Sequence, residues 1–404
     1  MKADQKQIQE IRDRFAKMQN KTDLLDLLNF AKGILFLQKS NSKSLRLSTL
    51  NWYADPRLSA GKRYIEFSIP KKNGGQRKIH SPARSLKTIQ RCLNLILQCI
   101  YDPHPAAMGF RPGFSVVDNA TKHTGKNFVY NLDLKEFFPS IELHRVKACF
   151  KNPPFNLTGD REPLAFFLAN LCCHEQEVER EGKPLVLSVL PQGAPTSPTI
   201  TNIVANKLDR KLSGLANRFG ACYSRYADDI TFSSIHYIYG RNGDFINELK
   251  KIIANQKFKI NSLKTRLQTK SKRQEVTGLI VNEHVNVNNI YLKNIRQTLH
   301  IWKKFGIDNA WKYYTENEDT RTTNKENSSL LVQIMNGKLQ YALTVRGKED
   351  FLINKYFTIL KDLMADKRSI PDQNLELILQ VLLTEGLDEA MEKYTNNISQ
   401  GNGK

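Results

Sequence analysis

The stretch Phe128-Val129-Tyr130-Asn131-Leu132-Asp133 decides how the chain folds. Its aromatic and aliphatic side chains alternate with the remaining residues. This period of two predicts a β-strand. Asp133 stands near the end of that strand and projects from one of its faces.

A second stretch, Tyr226-Ala227-Asp228-Asp229, follows about a hundred residues later. It is flanked by two further strand-like segments, Cys222–Tyr226 and Ile230–Ser233. We therefore predict a hairpin with Asp228 and Asp229 at the tight turn between its strands. An Asp-Asp pair at a polar turn is often only a solvated turn. The prediction therefore depends on the order of strand, Gly/Pro loop and hairpin along the chain.

A hairpin tip beside a strand end brings Asp133, Asp228 and Asp229 into one small volume. Three like charges held together are unfavourable unless divalent cations lie among them. Two hard cations placed in this way can bridge the attacking and leaving oxygens of a phosphoryl transfer. This pattern predicts the active site of a nucleic-acid polymerase palm.

Two other segments carry physical signals. Tyr64–Ile79 is predicted to form two strands joined by a Gly-rich turn that carries four cations, which suits a mobile flap over a triphosphate. A basic surface hairpin is the alternative. Leu190–Pro198 is a proline-bounded loop in which Gly193 allows the backbone to approach a ligand closely. It leads into a helical pattern from Thr199 to about Asn217.

Two short motifs complete the set, Asn-Ala-x-x-His from Asn119 to His123 and Val-Thr-Gly from Val276 to Gly278. With the motifs above, they cover the chain from about Tyr64 to Asn282. Over this range the chain resembles bacterial reverse transcriptases of the retron and defence-associated type.

The resemblance implies roles for individual residues. The implied nucleotide contacts are Lys71, Arg77, Phe138, Gln192, Gly193 and Lys264. Among them, Phe138 holds the place of the aromatic ring that lies under the sugar and excludes a 2′-hydroxyl, whereas Phe137 is expected to fill the core. Lys264 belongs to a segment, Lys251–Glu275, with eight Lys or Arg and one acidic residue. It is expected near the pyrophosphate leaving group.

The resemblance also implies a metal site and an RNA-binding surface. Two Mg²⁺ ions per active site are expected, with Asp133, Leu134, Asp228 and Asp229 as their ligands. The expected contacts to RNA and primer are Asn119, His123, Val276, Thr277 and Gly278.

The implied fold class is α+β, a right-hand polymerase with fingers, a palm built on an antiparallel sheet with helices, and a helical thumb. Residues 1–60 are expected to form a basic helical extension, and residues 61–285 the fingers and palm. Residues 286–395 would form the helical thumb or C-terminal region, and residues 396–404 a disordered tail.

Composition agrees with a polyanionic partner. The formal net charge is +21 over 404 residues, and residues 1–100 carry twenty Lys or Arg against seven Asp or Glu. The six cysteines show no paired CxxC spacing, and buried thiols are expected at Cys172 and Cys173. No secretory signal or membrane-spanning run is visible, so a cytoplasmic protein without a membrane partner is expected.

We therefore predict an RNA-directed DNA polymerase that copies a cognate structured noncoding RNA, using deoxynucleoside triphosphates, in antiphage defence. Its partners would be that RNA and its DNA product, with an effector protein and self-association left open. A palm-fold RNA-binding scaffold that holds an effector is an alternative, as is a reverse transcriptase of the group II intron kind. The three clustered carboxylates favour the polymerase, because a scaffold has no physical need for them.

Overall fold

A computed structural model of the chain describes residues 3–36, 43–59, 61–71, 74–180, 182–317 and 328–365. The chain divides into two compact units, one through Val285 and one from Asn286 onward. Each unit has a hydrophobic core of its own. The predicted disordered tail and the last part of the predicted thumb lie outside the described residues.

The first unit contains both helices and antiparallel strands. Its helices are α1 Gln5–Lys17, α2 Lys21–Leu35, α3 Leu47–Ala54, α4 Arg84–Ile100, α5 Val116–Thr121, α6 Leu143–Lys151, α7 Glu162–Cys172, α8 Ser197–Arg218 and α9 Asp244–Asn255. Its strands are β1 Tyr64–Pro70, β2 Gln76–Pro82, β3 Phe128–Leu134, β4 His174–Arg180, β5 Lys183–Val189, β6 Cys222–Tyr226, β7 Asp229–Ser234, β8 Ile260–Thr269, β9 Glu275–Val276 and β10 Leu279–Ile280.

The central sheet has the strand order β6-β7-β3-β8, and every neighbouring pair is antiparallel. Because β3 lies in the interior of this sheet, Val129 and Leu132 are buried. The predicted strand at Phe128–Asp133 and the predicted hairpin are both confirmed, as is the mixture of helices with an antiparallel sheet.

Helices cover the sheet and extend the core. The predicted apolar stripe of α4 is buried at Leu86, Ile89, Leu93 and Ile96. The guanidinium of Arg12 on α1 donates to the carbonyl of Cys99 at 2.7 Å, which joins the N-terminal helices to α4. The thiols of Cys172 and Cys173 are buried and unpaired, as the sequence predicts.

The second unit is helical in its described part. Its helices are α10 Asn289–Phe305, α11 Ile307–Asn317, α12 Leu330–Arg346 and α13 Phe351–Ala365. One face of α10 packs in the core of this unit through Ile295, Leu299 and Trp302. Ile290 fits the same spacing but is exposed. Among the helices that the structure describes, none combines the length and the apolar character needed to cross a bilayer.

Candidate active site

Three carboxylates from distant parts of the chain meet at one end of the central sheet. Asp133 lies directly opposite Asp229 in the pairing of β3 with β7. The carbonyl of Asp228 accepts a hydrogen bond from the backbone N–H of Leu134 at 3.0 Å. Asp229 is the first residue of β7 rather than part of the turn, because the ladder hydrogen bonds of the hairpin already include it.

Desolvation and neighbouring carboxylates raise the pKa values of Asp228 and Asp229. Desolvation, followed by the charges of Asp228 and Asp133, raises the pKa of Asp229 to about 6, although the residue as a whole is exposed. Desolvation also raises the pKa of Asp228, and the charge of Asp133 adds to the effect. The cations Lys264 and Arg77 oppose the shift at Asp228. The site therefore stores like-charge repulsion that a bound cation would relieve.

Asp133 is buried and has two side-chain partners on β8. One carboxylate oxygen accepts from the Nδ2 of Asn261 at 3.0 Å, and the other accepts from the Nζ of Lys264 at 2.8 Å. Both partners reach Asp133 because β8 bulges: the register jumps from Arg266 opposite Asn131 to Asn261 opposite Asp133. The hydrogen bond to Asp133 raises the pKa of Lys264.

The donor set at this site fits hard divalent cations. Carboxylate oxygens are the ligands that Mg²⁺ prefers, and the mutual repulsion of Asp228, Asp229 and Asp133 provides a reason to bind positive charge. Among the described residues, no group of three or more His, Cys, Asp or Glu side chains forms a ready-made metal cage. At Asp133 a cation would compete with Lys264, whose side chain is about half exposed. The carbonyl of Leu134 remains a predicted ligand.

A buried ion pair supports the turn that carries Asp228. The guanidinium of Arg225 binds both carboxylate oxygens of Asp209 on α8, at 2.8 and 2.7 Å. Its remaining amino group donates to the carbonyl of Ala227 at 3.0 Å. Sequence reasoning missed this pair. A charged residue within a buried strand, such as Arg225, indicates that an oppositely charged partner lies nearby. Which residue that partner is depends on the tertiary fold.

The basic hairpin lies beside the carboxylates. Arg77 lies close enough to Asp228 for its positive charge to oppose the rise in the pKa of this carboxylate. Its side chain is exposed, as is that of Lys71 at the start of the turn. The turn is closed by a hydrogen bond from the backbone N–H of Lys71 to the carbonyl of Gly75 at 2.6 Å. The predicted role of both cations as triphosphate contacts stays a prediction.

The proline-bounded loop packs against the same hairpin. The backbone N–H of His80 donates to the carbonyl of Gln192 at 2.8 Å. Gly193 has a φ of +125°, and a Cβ there would lie 2.7 Å from the carbonyl oxygen of His80. The close approach that we expected of Gly193 toward a ligand is thus made toward β2. The side chain of Gln192 is half-buried, and its predicted nucleotide contact is untested.

The two phenylalanines after the first carboxylate differ in their surroundings. Phe137 is buried in the core, as predicted. Phe138 is half-buried, and its ring centroid lies 6.1 Å from that of Phe110 and 5.8 Å from that of Phe137. These ring contacts constrain the position of Phe138. The arrangement suits a rigid steric gate, which remains the predicted role of Phe138.

The five predicted RNA contacts separate into two groups. Asn119, His123 and Val276 are buried, with at most 1% of their surface exposed. The polar groups of Asn119 and His123 form hydrogen bonds inside the fold, and the RNA contacts expected of all three residues stay predictions. Thr277 and Gly278 form the turn between β9 and β10, where Gly278 is exposed. The segment is a tight hairpin rather than one strand.

Comparison with known proteins agrees with this geometry. The family model described as "Reverse transcriptase (RNA-dependent DNA polymerase)" matches residues 69–281, more than half of the chain. The chain belongs to the reverse transcriptase family. It therefore has a polymerase fold that combines helices with sheet, and the three carboxylates lie within the range that matches the family.

The curated relatives that this chain matches are retron reverse transcriptases, which supports a retron-type member of the family. The chain is 37% identical over 252 residues to the retron Mx65 reverse transcriptase of Myxococcus xanthus, a match that covers 59% of this chain and 56% of that protein. It is 37% identical over 254 residues to the retron Mx162 reverse transcriptase of the same organism, covering 59% and 51%. Identity to the retron Ec86 reverse transcriptase of Escherichia coli is 33% over 246 residues, covering 59% and 69%. The chain thus spans only about half the length of the two Myxococcus relatives.

Proposed function

We propose that this chain is an RNA-directed DNA polymerase that copies a cognate structured noncoding RNA into DNA. The convergence of Asp133, Asp228 and Asp229 at the end of the central sheet carries the proposal. Its support from relatives is that the similar curated proteins are retron reverse transcriptases. In this assignment the central sheet is the palm, β1 and β2 belong to the fingers, and the second unit is the thumb.

Two Mg²⁺ ions are the proposed cofactors. When bound at the carboxylates, they supply positive charge to the attacking and leaving oxygens of phosphoryl transfer. The family uses divalent metal ions, and the all-oxygen donor set of the site suits Mg²⁺. Asp133, Asp228, Asp229 and the carbonyl of Leu134 would hold them.

The residues around the carboxylates take complementary roles toward a deoxynucleoside triphosphate. Lys71 and Arg77 on the basic hairpin would neutralise its phosphate oxygens. Lys264, whose Nζ lies 2.8 Å from the Oδ2 of Asp133, would neutralise negative charge on the pyrophosphate as it leaves. Phe138 would lie beneath the sugar and exclude a 2′-hydroxyl.

The positive charge of the molecule is consistent with binding to RNA. A formal net charge of +21 attracts any polyanion, so recognition of one RNA needs shape-dependent contacts in addition. The Thr277–Gly278 turn, in which Gly278 is exposed, is the proposed site of such contacts. A role in antiphage defence is proposed from the retron resemblance and would be tested by phage challenge of cells carrying the wild type or Asp228→Asn.

Primer extension tests the proposed activity directly. The full chain is given Mg²⁺, a DNA primer annealed to an RNA template, and either deoxynucleoside or ribonucleoside triphosphates. Extension with deoxynucleotides that Asp228→Asn abolishes is the expected result. Folded wild-type protein that binds the primed template but does not extend it would contradict the proposal and favour an RNA-binding scaffold.

A further inference from the structure

Four buried polar residues and the half-buried Thr277 form a continuous hydrogen-bond network next to the active-site hairpin. We call Asn119, His123, Ser224, Ser233 and Thr277 the His123 network. We propose that it is a positioning device, which holds the Thr277–Gly278 turn in one conformation against β6 and β7 and thereby governs recognition of the cognate RNA. The RNA part of this inference rests on the proposed function.

The network runs from the central sheet to the turn. His123 lies between two strands, with its Nδ1 2.7 Å from the hydroxyl of Ser233 on β7 and its Nε2 2.7 Å from the hydroxyl of Ser224 on β6. The hydroxyl of Ser224 donates to the Oδ1 of Asn119 at 2.7 Å. The Nδ2 of Asn119 then donates to the hydroxyl of Thr277 at 3.4 Å. The last hydroxyl donates to the carbonyl of Val116 at 3.4 Å.

Burial and the directions of these hydrogen bonds together define the tautomer of His123. Ser224 has one hydroxyl proton, which it donates to Asn119, so its oxygen accepts from the Nε2–H of His123. Complete burial lowers the pKa of His123 to about 3, so the ring is neutral and carries only this one proton. The Nδ1 of His123 therefore accepts a hydrogen bond from the hydroxyl of Ser233. Every polar atom along the path has a defined role, so the network specifies one arrangement.

The turn at the end of the network needs such support. Thr277 has a φ of 47° and Gly278 a φ of 83°, and both join a two-residue hairpin because Val276 pairs with Leu279. Positive φ suits glycine but is strained for a β-branched residue such as threonine. Such strain persists only where the surroundings over-determine it. The two hydrogen bonds of the Thr277 hydroxyl supply part of that constraint.

The surface beside the turn suits RNA. The Nδ2 of Asn282 donates to the carbonyls of Lys270 and Lys272, at 3.3 and 2.8 Å, which holds this basic segment against the end of β10. Lys270 and Lys272 are exposed, as is Gly278. Phosphate attraction and close approach to an exposed backbone can therefore act on the same RNA segment.

Two buried serines of the β6–β7 hairpin provide the test. Ser224→Ala removes the central hydroxyl of the network. Ser234→Ala is the matched control, because Ser234 is also buried in the hairpin but donates to the carbonyl of His236, outside the network. Hydrogen exchange is measured at Gly278 and Leu279 in the full chain. Binding is measured to the RNA that copurifies with the wild type and to a fully paired RNA–DNA duplex of unrelated sequence.

In Ser224→Ala, we expect exchange at the turn to increase and affinity for the copurifying RNA to fall, each by about tenfold, because the buried hydrogen bonds of this hydroxyl to His123 and Asn119 are lost. Affinity for the unrelated duplex should change by less than about twofold, since phosphate contacts dominate it. Equal behaviour of Ser224→Ala and Ser234→Ala would overturn the proposal. Neither measurement needs DNA synthesis, so a wild type that binds RNA but extends no primer contradicts the proposed function alone.

Two further readouts keep the inference testable if Ser224→Ala does not fold. Thr277→Val removes the terminal hydroxyl and retains the side-chain shape, so it should reproduce the effects expected of Ser224→Ala, whereas Thr277→Ser should behave as wild type. In ¹⁵N NMR of the wild type, His123 should show the neutral Nε2–H tautomer from about pH 5 to about pH 8. A His123 that titrates near its ordinary pKa would show that the network is not formed.

Discussion

Arg225 and Asp209 form an ion pair in which both side chains are fully buried, with 2.7 Å between Nη2 and Oδ2. The same guanidinium holds the carbonyl of Ala227, a residue with a φ of 58°. Ala227 directly precedes Asp228, so the ion pair fixes the strained backbone from which this carboxylate projects. The ion pair between α8 and β6 therefore supports the candidate metal site through one hydrogen bond, from Arg225 to the carbonyl of Ala227.

Removing one partner of this pair should strongly destabilise the fold. In Asp209→Ala, the free energy of unfolding should fall by about 3–5 kcal/mol, because a buried guanidinium loses its counter-charge. The exposed ion pair between Arg218 and Glu248 provides the control, and Glu248→Ala should cost less than about 1 kcal/mol. Urea denaturation measures both values. Similar losses in the two variants would mean that the buried pair contributes no more than a surface pair.

Substitution of the active-site carboxylates should abolish DNA synthesis and leave RNA binding unchanged. Asp133→Ala and Asp228→Asn should each lower primer extension by roughly a thousandfold or more, because a metal ligand is lost. RNA affinity should stay near that of the wild type, since the basic surface is unchanged. Asp160→Asn, at an exposed carboxylate away from the site, is the control. Near-normal extension by either active-site variant would show that the site has been assigned wrongly.

Sugar selection should depend on Phe138. Phe138→Ala opens space beneath the sugar and should raise the use of ribonucleotides relative to deoxynucleotides by about ten- to a hundredfold. Phe137→Ala should instead lower stability, because Phe137 is buried in the core. Competition between the two nucleotide types in primer extension gives the ratio. An unchanged ratio in Phe138→Ala would remove this ring from the gate.

Local patterns in the sequence predict the elements that carry the site. The alternation at Phe128–Asp133, the hairpin around Asp228 and the stripe of α4 follow from periodicity alone, and all three are present. The partner of Arg225 could not be predicted in this way, because Asp209 meets it only through the packing of α8 on β6. The burial of His123 was missed for a similar reason. From the sequence, a histidine in a polar segment is expected at the surface. Its burial depends on Ser224 and Ser233, which come from strands about a hundred residues away.

Cation binding should weaken in mild acid. The pKa of Asp229 is raised to about 6, so protons compete with Mg²⁺ for this carboxylate as the pH falls through about 6. Below that value, the dissociation constant should rise by up to about tenfold per pH unit. Without metal, the same raised pKa means that the folded state gains protons before the unfolded state, so this group adds stability as the pH falls from about 6 toward about 4.

Isothermal titration calorimetry with Mg²⁺ at several pH values measures this competition. Asp229→Asn supplies the control, because an amide has no proton to lose and the pH dependence from this position should disappear. A wild-type affinity that is constant between about pH 5 and about pH 7 would contradict the assignment of Asp229 as a titrating ligand.

RNA recognition and general affinity should respond to different residues around the β9–β10 turn. Gly278→Val should weaken the copurifying RNA more than a generic duplex, because valine is strained at a φ of +83° and the turn must change shape. Space is not the cause, since a Cβ there would meet nothing within 4 Å. Lys270→Ala combined with Lys272→Ala should weaken both RNAs alike and reduce the dependence of binding on salt, because phosphate contacts are lost. Competition binding at two salt concentrations separates these outcomes. Equal losses on both RNAs for Gly278→Val would mean that the turn supports the core or the primer and does not recognise RNA shape.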